Sequence, residues 1–561
     1  MTLISVSTDI YSFYKRLLST VVRGHMTART RLVNLDAMIP RADFALQDDV
    51  HAASYENVPS ISVRDLKPDG LIRPILRKPD FQRETNHWSP EQVSSLLECF
   101  VNGDLIPSVI VWKSPAFLFV IDGGHRLSVL RAWIEDDYGD GPISRSFFGN
   151  AISKVQIKAA EQTRALIASK VGTWQHFQAG LDSTSLTEQE RRKINTAVSR
   201  GIHVQWVQGN AEKAEASFFK INTKGTPLDD IEELLLSNRR KPIAIASRAV
   251  IRAGMGHRYW SKFAPPICNE IEDLAKQIHG TLFEPEVETP IKTLDLPLGG
   301  STGVRAALQV LLEFMLEANR NQKGEPKHLN DQLDDEDGAG TKAALSHAFN
   351  LASRMTGNDR GSLGLHPAIY FYGPTGRHLT PMFLGISRLI ARKLVNNDKV
   401  FFEKFSSHRA ELEDILIKHK DLIATILQKT ISRLRVTKYA DLIDALVSKL
   451  AAEPNVSITE GDLVTISGLS GKIITGSTAE AGEGFSDDTK SAVFIKTALK
   501  SAMRCPICQG FLDQTKSISF DHIQEKASGG RGDVENCQLT HPYCNQAKKN
   551  QAFTPPQNVE K

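Results

Sequence analysis

Cysteine is scarce in this sequence, with only six cysteines among 561 residues. A secreted scaffold held together by disulfides carries far more, so that class of protein is excluded. Cys99 and Cys268 are isolated, whereas the other four cysteines all lie beyond residue 500. Such clustering in a chain otherwise poor in cysteine predicts a metal site in a reducing compartment.

Long hydrophobic runs are also missing. No run approaches the roughly 18 apolar residues that a membrane-spanning helix needs, so no membrane partner is expected. Residues 1–26 lack a basic leader and a small-residue cleavage site, and we interpret them as an amphipathic helix rather than a signal peptide. Met1 and Met26 are alternative start positions. The expected location of the protein is the cytoplasm.

The sequence has no marked excess of one charge sign. Lys and Arg number 68 and Asp and Glu number 65, which gives a net charge of +3. Any nucleic-acid site must therefore be a local patch rather than a property of the whole chain. Hydrophobic residues make up 41% and charged residues 24%, as in ordinary soluble proteins, so the chain can bury a sizeable core.

The order of strand-like and helical patterns predicts an α+β protein with a mainly helical middle. A helix start at Ser89-Pro90-Glu91-Gln92 and a strand hairpin over 108–121 belong to the mixed part. We predict five segments along the chain: a poorly determined leader over 1–60, an α+β domain over 61–240, a helical domain over 241–450, a linker or small β-element over 451–495, and a metal-binding module over 496–561.

Two pairs of metal-ligating residues share the same short spacing near the C-terminus. Cys505 and Cys508 form one pair, and His541 and Cys544 form the other. This spacing is typical of a tetrahedral zinc site, and a closed set of four ligands is structural rather than catalytic. Cys537 is an alternative to His541, although its distance along the chain from Cys544 fits a zinc knuckle less well.

Reactive residue types lie between and after these ligands. Asp521 and His522 end a short strand-like segment, and Asn545 directly follows a zinc ligand. Carboxylate and amide oxygens suit a hard cation such as Mg²⁺, and a neutral histidine can take a proton from an attacking water. Lys548 and Lys549 are predicted to hold phosphates of bound DNA.

This combination of motifs resembles the HNH endonuclease family, whose members are ββα-metal nucleases. The resemblance covers about residues 500–550 and implies His522 as general base, with Asp521 and Asn545 as ligands of a catalytic Mg²⁺ or Mn²⁺ ion. It also implies Asn536 as the residue that orients the base, and DNA as the substrate. His541 stands where the family usually has a cysteine. The alternatives are a zinc ribbon that only binds a partner, and RNA as the substrate.

A second candidate site is the turn Asp122-Gly123-Gly124-His125-Arg126 between a strand and a helix. The glycines let the backbone approach a ligand closely, and the start of the helix offers free N–H groups. Arg126 can hold a phosphate with two hydrogen bonds. A tight turn with a structural Asp–Arg pair is the alternative.

Around this turn the chain carries Phe81-Gln82-Arg83, Trp88 and, further on, Ile221-Asn222, Gly225 and Pro227-Leu228. Their order resembles the N-terminal domain of GmrSD-type, modification-dependent restriction enzymes, which have a ParB/sulfiredoxin-like fold. Gly124 and His125 stand where that family usually has two glutamines. The DGQHR-domain proteins of DNA phosphorothioation systems are also similar. The resemblance, over about residues 60–240, implies a nucleotide-binding site that is hydrolytic in some members. The residues implied are Asp122, Gly123, Arg126, Gln82, Arg83 and Asn222.

Together these features predict a nuclease controlled by a sensor domain. The N-terminal domain senses a nucleotide or a DNA feature, and the C-terminal module cuts DNA, in a restriction-type defence against phage or foreign DNA. The expected cofactors are structural Zn²⁺, catalytic Mg²⁺ or Mn²⁺, and an NTP. The alternative is a DNA-binding NTPase or regulator whose zinc module does not cleave. The sequence leaves the nucleotide, the DNA modification and the formation of a homo-oligomer open.

Overall fold

The computed structural model describes residues 32–44, 57–82, 85–149, 152–224, 230–301, 304–321, 325, 328–453, 456–469 and 484–548. The chain divides into two compact units, Met1–Leu228 and Asp229–Lys561. The predicted amphipathic helix over 1–26 lies outside the described residues, as do Arg83 and Lys549. The same holds for the side chain of Asn222.

The first unit is built on a six-stranded mixed sheet with the strand order β1-β3-β5-β4-β6-β2. β4 and β5 form the antiparallel hairpin that the sequence predicted, while β3 runs parallel to β5 and β4 parallel to β6. The strands are β1 (Arg41–Ala42), β2 (Ser60–Ser62), β3 (Leu76–Pro79), β4 (Val109–Lys113), β5 (Leu118–Asp122) and β6 (Gly201–Trp206).

Capping residues set both ends of the helix Pro90–Asn102 in this unit. Ser89 accepts a hydrogen bond from the backbone N–H of Gln92, and Gln92 bonds back to Ser89, which forms a capping box. Gly103 ends the same helix with a φ of 84°, a left-handed conformation that glycine adopts without strain. The described helices are α1 (Val63–Leu66), α2 (Pro90–Asn102), α3 (Gly124–Glu135), α4 (Pro142–Phe148), α5 (Lys154–Lys170), α6 (Trp174–Leu181), α7 (Glu188–Ser199) and α8 (Ala211–Lys224).

Part of the predicted leader belongs to this domain. Val33, Met38 and Ile39 are buried in the same core as the sheet and helices, and β1 pairs with β3. Apolar residues of this stretch bury their surface against the sheet, which stabilises the segment in place. The prediction of a leader over 1–60 is therefore wrong for residues 32–44.

The second unit is mainly helical, as predicted for its middle part. Its helices enclose one continuous hydrophobic core that extends to the C-terminal module. The described helices are α9 (Asp230–Ser237), α10 (Pro242–Ile251), α11 (Pro265–Phe283), α12 (Val304–Ala318), α13 (Ala339–Met355), α14 (Pro367–Tyr370), α15 (Thr380–Val395), α16 (Lys399–Ser407), α17 (Arg409–Lys418), α18 (Lys420–Lys429), α19 (Arg435–Ala452), α20 (Glu460–Ile466), α21 (Asp487–Lys500) and α22 (Pro542–Lys548). No described helix is both long and apolar enough to span a membrane.

The segment predicted as a linker contains two helices where the structure describes it, Glu460–Ile466 and the start of Asp487–Lys500. Leu463 of α20, and Ile495 and Leu499 of α21, are buried in the core of the helical unit. Phe511, in the C-terminal module, belongs to that core as well. The prediction of a linker with short β-like pieces is therefore wrong for these helices, because their apolar faces pack against the helical domain.

The C-terminal module has the order strand, strand, helix. β7 (Ser519–His522) and β8 (Cys537–Thr540) pair antiparallel, with Asp521 opposite Gln538 and His522 opposite Cys537. The helix α22 (Pro542–Lys548) follows β8 directly and packs against β7. This arrangement is the ββα order that the resemblance to nucleases implied.

Candidate functional site

Four buried side chains of the C-terminal module converge on one point. The ligand atoms of Cys505, Cys508, His541 and Cys544 all lie within 4.8 Å of one another. His541 Nδ1 is 3.3 Å from the sulfur of Cys508, while its Nε2 is 2.9 Å from the carbonyl oxygen of Phe511. A hydrogen bond from Nε2–H to that oxygen leaves the lone pair of Nδ1 facing the sulfurs, as a metal ligand requires.

A tight local turn forms the first ligand pair, whereas the second lies at the start of α22. Gln509 donates its backbone N–H to the carbonyl of Cys505, and Cys505 donates to Gly510, which closes the first turn. Cys537 lies exposed on β8 and is not a member of the cluster among the described residues. The choice of His541 over Cys537 therefore fits the structure, and the donor set of three sulfurs and one imidazole suits zinc.

The zinc-ligand cluster is attached to the helical core by a buried carboxylate. Glu413 accepts hydrogen bonds from Arg409 Nε at 2.7 Å, from the hydroxyl of Tyr370 at 2.9 Å and from the backbone N–H of Phe511 at 2.6 Å. Because the carbonyl of Phe511 in turn bonds to His541, one chain of contacts joins the helical core to a metal ligand.

β7 and α22 hold the two predicted ligands of the catalytic cation. Asn545 donates to the hydroxyl of Ser519 at 2.7 Å and to the carbonyl of Phe520 at 3.1 Å. Asp521 is buried, and its Oδ2 accepts from Lys548 at 3.1 Å and from Gln538. Ser519 and Asp521 share one face of β7, and Asn545 and Lys548 lie three residues apart on α22. Asp521 and Asn545 are thus held at the same strand–helix contact.

No hydrogen bond joins the side chains of His522 and Asn536 among the described residues. Asn536 Nδ2 donates to the carbonyls of Gln524 and Arg531, and its Oδ1 accepts from the backbone N–H of Gln524 at 2.6 Å. Asn536 also accepts from the N–H of Ile523 through its own carbonyl. Asn536 therefore fixes the loop that leaves β7, and the imidazole of the half-buried His522 makes no hydrogen bond among the described residues.

The predicted turn of the first unit has a shape that only glycine allows. Gly123 has a φ of 93°, and a Cβ atom there would lie 2.5 Å from Val109. Arg126 Nη2 lies 2.7 Å from Asp122 Oδ2 and also donates to the carbonyl of Ser108. The turn therefore contains the Asp–Arg pair of the structural alternative, which is compatible with a binding site.

Gln82 reaches this turn from the end of β3. A Cβ atom built on Gly124 would lie 3.3 Å from Gln82 Oε1, so the two residues pack closely. That oxygen is buried and has no hydrogen-bond partner among the described residues, although Nε2 of the same side chain contacts the carbonyl of Ile121 at 3.4 Å. An unpartnered buried oxygen fits a site that a ligand completes.

Two family models match the chain. The model described as the GmrSD restriction endonuclease, N-terminal domain, matches residues 67–239, and the model of the HNH endonuclease matches residues 505–551. The chain joins a GmrSD N-terminal domain to an HNH endonuclease domain. No curated protein and no solved structure matches it. The two domains support a nuclease of the GmrSD restriction type with DNA as its substrate.

Within the HNH domain, Lys548 has a different environment from the one that the sequence suggested. Its ammonium group is buried and lies 3.1 Å from Asp521 Oδ2, and it also donates to the carbonyls of His522 and Ile523. All three N–H donors of the ammonium have partners within the protein. This geometry argues against Lys548 as a phosphate ligand, and Lys549 lies outside the described residues.

In the first unit, a buried charge network that the sequence did not reveal supports Gln82, and it includes residues that precede the matched segment 67–239. Asp36 accepts two hydrogen bonds from Arg41 and one from Lys78, and all three side chains are buried. Arg41 also donates to the carbonyl of Gln82. The predicted leader includes Asp36 and Arg41. The one sequence signal for their buried pairing is that two charged residues of opposite sign stand among apolar residues.

Proposed function

We propose that the HNH domain is a metal-dependent endonuclease that hydrolyses phosphodiester bonds of DNA. The observation that carries this proposal is the pair of oxygens at the contact of β7 and α22. Asp521 Oδ1 and Asn545 Oδ1 have no hydrogen-bond partner among the described residues, although the other polar atom of each side chain is held firmly. Two fixed oxygens of these types are ligands that Mg²⁺ or Mn²⁺ accepts.

Each residue of this site has a separate proposed role in the hydrolysis of the phosphodiester bond. Asp521 and Asn545 would hold the divalent cation, which when bound stabilises negative charge on the scissile phosphate and the leaving oxygen. His522 would take the proton from the attacking water as its neutral imidazole. The four-ligand cluster would hold structural zinc, and because Cys544 is one of its ligands, the start of the helix that carries the next residue, Asn545, would be anchored there.

Removal of the general base tests this assignment. His522→Ala should abolish nicking of plasmid DNA in Mg²⁺ or Mn²⁺ while the zinc content of the purified protein stays unchanged. Cys537→Ser is the matched control, because Cys537 lies opposite His522 on β8 and is exposed. Cleavage by the His522→Ala variant at the rate of the unaltered protein would reject the assignment.

We further propose that the GmrSD N-terminal domain has a ParB/sulfiredoxin-like fold and binds a nucleotide that controls cleavage. The supporting observation is the buried, unpartnered oxygen of Gln82 beside the turn of Asp122, Gly123 and Arg126. Arg83 and Asn222 belong to the same proposal through the resemblance alone. Phosphate release from each NTP, compared between the unaltered protein and Asp122→Ala or Arg126→Ala variants, tests it.

A DNA-binding NTPase or regulator with a non-cleaving zinc module is the second candidate function. The ion pair between Asp521 and Lys548 favours it, because a carboxylate that is already neutralised has less need of a cation. Plasmid cleavage with and without Mg²⁺ discriminates between the two. The proposed setting is restriction of phage or foreign DNA, which cleavage of modified and unmodified phage DNA would test.

A further inference from the structure

A surface pocket of the first unit lies outside the turn that carries the proposed nucleotide site. Its volume is about 1030 Å³, and it is lined by the segment that leads into β3, the C-terminal half of α3 and the start of α4. Arg73, Arg77 and Arg131 line it, and Asp69 is the one carboxylate in its wall. A concave site of this size can take a small organic molecule.

The three arginines are poorly balanced by negative charge. Arg73 Nη2 lies 3.1 Å from Glu135 Oε1, but no described carboxylate lies within 4.0 Å of the guanidinium nitrogens of Arg77 or Arg131. Arg77 instead donates to the carbonyl of Leu76 and lies over the ring of Phe117. Arg77 and Arg131 thus lack a carboxylate in direct contact, and because like charges repel one another, an anion bound between them is favoured.

The environment of Arg131 is the second indication that the pocket binds an anion. Only 9% of its surface is exposed, and its Nε is buried without a hydrogen-bond partner, while Nη1 donates to the carbonyl of Met38. Burial and the nearby charge of Arg73 lower the pKa of Arg131 to about 10, although the carboxylates of Glu135 and Asp137 act in the opposite direction. A buried cation without a direct ion-pair partner is destabilising, and a bound anion would offset that cost.

Most of the remaining lining is apolar. Ile143 and Phe147 of α4 and the exposed side chain of Leu71 face the same pocket as the arginines. We propose that this arginine pocket binds a small phosphorylated molecule of nucleotide size, with its phosphates on Arg77 and Arg131 and its apolar part against α4. Guanidinium groups bind phosphate with paired, charge-assisted hydrogen bonds, and apolar side chains cover a ring system.

The arginine pocket is distinct from the turn that contains Arg126. Arg131 follows Arg126 by five residues on α3, which places it about 7.5 Å along the helix axis and about 140° around it. Arg77 pairs in the sheet with Phe119, three residues before the end of β5 at Asp122, a separation of roughly 10 Å along the strand. Variants can therefore affect one site and leave the other intact.

Isothermal titration calorimetry on the full-length protein tests the proposal, with inorganic pyrophosphate, ATP and a 5′-phosphorylated oligonucleotide as separate probes. Arg77→Gln should weaken binding of pyrophosphate and ATP about tenfold or more, since each lost charge-assisted hydrogen bond has roughly that effect. Arg145→Gln is the matched control, because Arg145 is exposed on α4 and does not line the pocket. Arg131→Met is a second variant, checked for folding by thermal unfolding.

The variants also separate this site from the turn. Binding of pyrophosphate or ATP that persists in Arg126→Gln, where the turn is disabled, and that weakens about tenfold when Arg77→Gln is added supports the arginine pocket, whatever the outcome of the DNA cleavage assays. Binding of pyrophosphate and ATP that is lost with Arg126→Gln alone would overturn the proposal, because the turn would then be the site. Absence of binding up to millimolar concentrations, or binding of the oligonucleotide alone, would overturn it as well.

Discussion

Glu413 offers a sharp test of how the HNH domain is held in the second unit. Its side chain is fully buried, and its two oxygens accept hydrogen bonds from Arg409, Tyr370 and the backbone of Phe511. Glu413→Ala removes all three acceptors at once. We expect the substitution to destabilise the helical core and the zinc-ligand cluster together, since Phe511 also supports the ligand His541.

The expected magnitude follows from the partners that are left behind. Arg409 is fully buried and would lose its only ion-pair partner among the described residues, which costs about 3–5 kcal/mol of unfolding free energy. The hydroxyl of Tyr370 and the N–H of Phe511 would lose acceptors too, at about 1–3 kcal/mol each, although such losses are not additive. We therefore expect a loss of at least about 3 kcal/mol, with Glu413→Gln between that variant and the unaltered protein.

Urea unfolding measures this loss through two signals, far-UV circular dichroism for the helices and capture of released zinc by a chromogenic chelator. Both midpoints should fall together in Glu413→Ala. Glu411→Ala is the matched control, because Glu411 lies exposed on the same helix and should change stability by less than about 0.5 kcal/mol. Equal midpoints for the two variants, or early zinc release with unchanged helix unfolding, would refute the reasoning.

Three further substitutions separate other roles. Cys505→Ser should abolish zinc binding and expose the C-terminal domain to limited proteolysis, while Cys537→Ser retains zinc; zinc in both variants would contradict the ligand set. Lys548→Met should lower the unfolding free energy by about 3–5 kcal/mol, because the buried Asp521 loses its ion-pair partner and keeps only the hydrogen bond from Gln538. The salt dependence of DNA binding should not change; a weaker salt dependence would restore Lys548 as a phosphate ligand. Burial lowers the pKa of His378 from 6.5 to about 4. As the pH falls, His378 therefore binds a proton near pH 6.5 in the unfolded chain but only near pH 4 in the folded protein. Stability should fall as the pH decreases through this window, and His378→Gln should lose less urea stability there; equal losses would exclude His378 as a source.

The HNH domain follows helices that are packed into the helical core. Leu463 of Glu460–Ile466, and Ile495 and Leu499 of Asp487–Lys500, are buried there. The proposed control of cleavage would therefore have to act on the geometry of the site, for example on the ion pair of Lys548 with Asp521, rather than through a flexible tether.

The sequence by itself determined the features that depend on neighbouring residues. Two ligand pairs with short spacing indicated the zinc-ligand cluster, and the adjacent Asp521 and His522 with Asn545 indicated an HNH nuclease. The cap at Ser89 and the hairpin before Asp122 were likewise readable, because capping and turn geometry are set within a few residues. These predictions concern local chemistry, which the chain carries wherever it packs.

The tertiary structure decided the roles that depend on distant partners. Arg41 bonds to Gln82 across 41 residues, and Glu413 bonds to Phe511 across 98 residues, so neither contact has a local signature. The same reason accounts for Lys548. Its position in the sequence suggested a contact with phosphate, but its side chain is buried and pairs with Asp521. The position of a charged residue in the sequence does not show whether its side chain is exposed to solvent or buried in an ion pair. Only the packing around the side chain determines which of the two occurs.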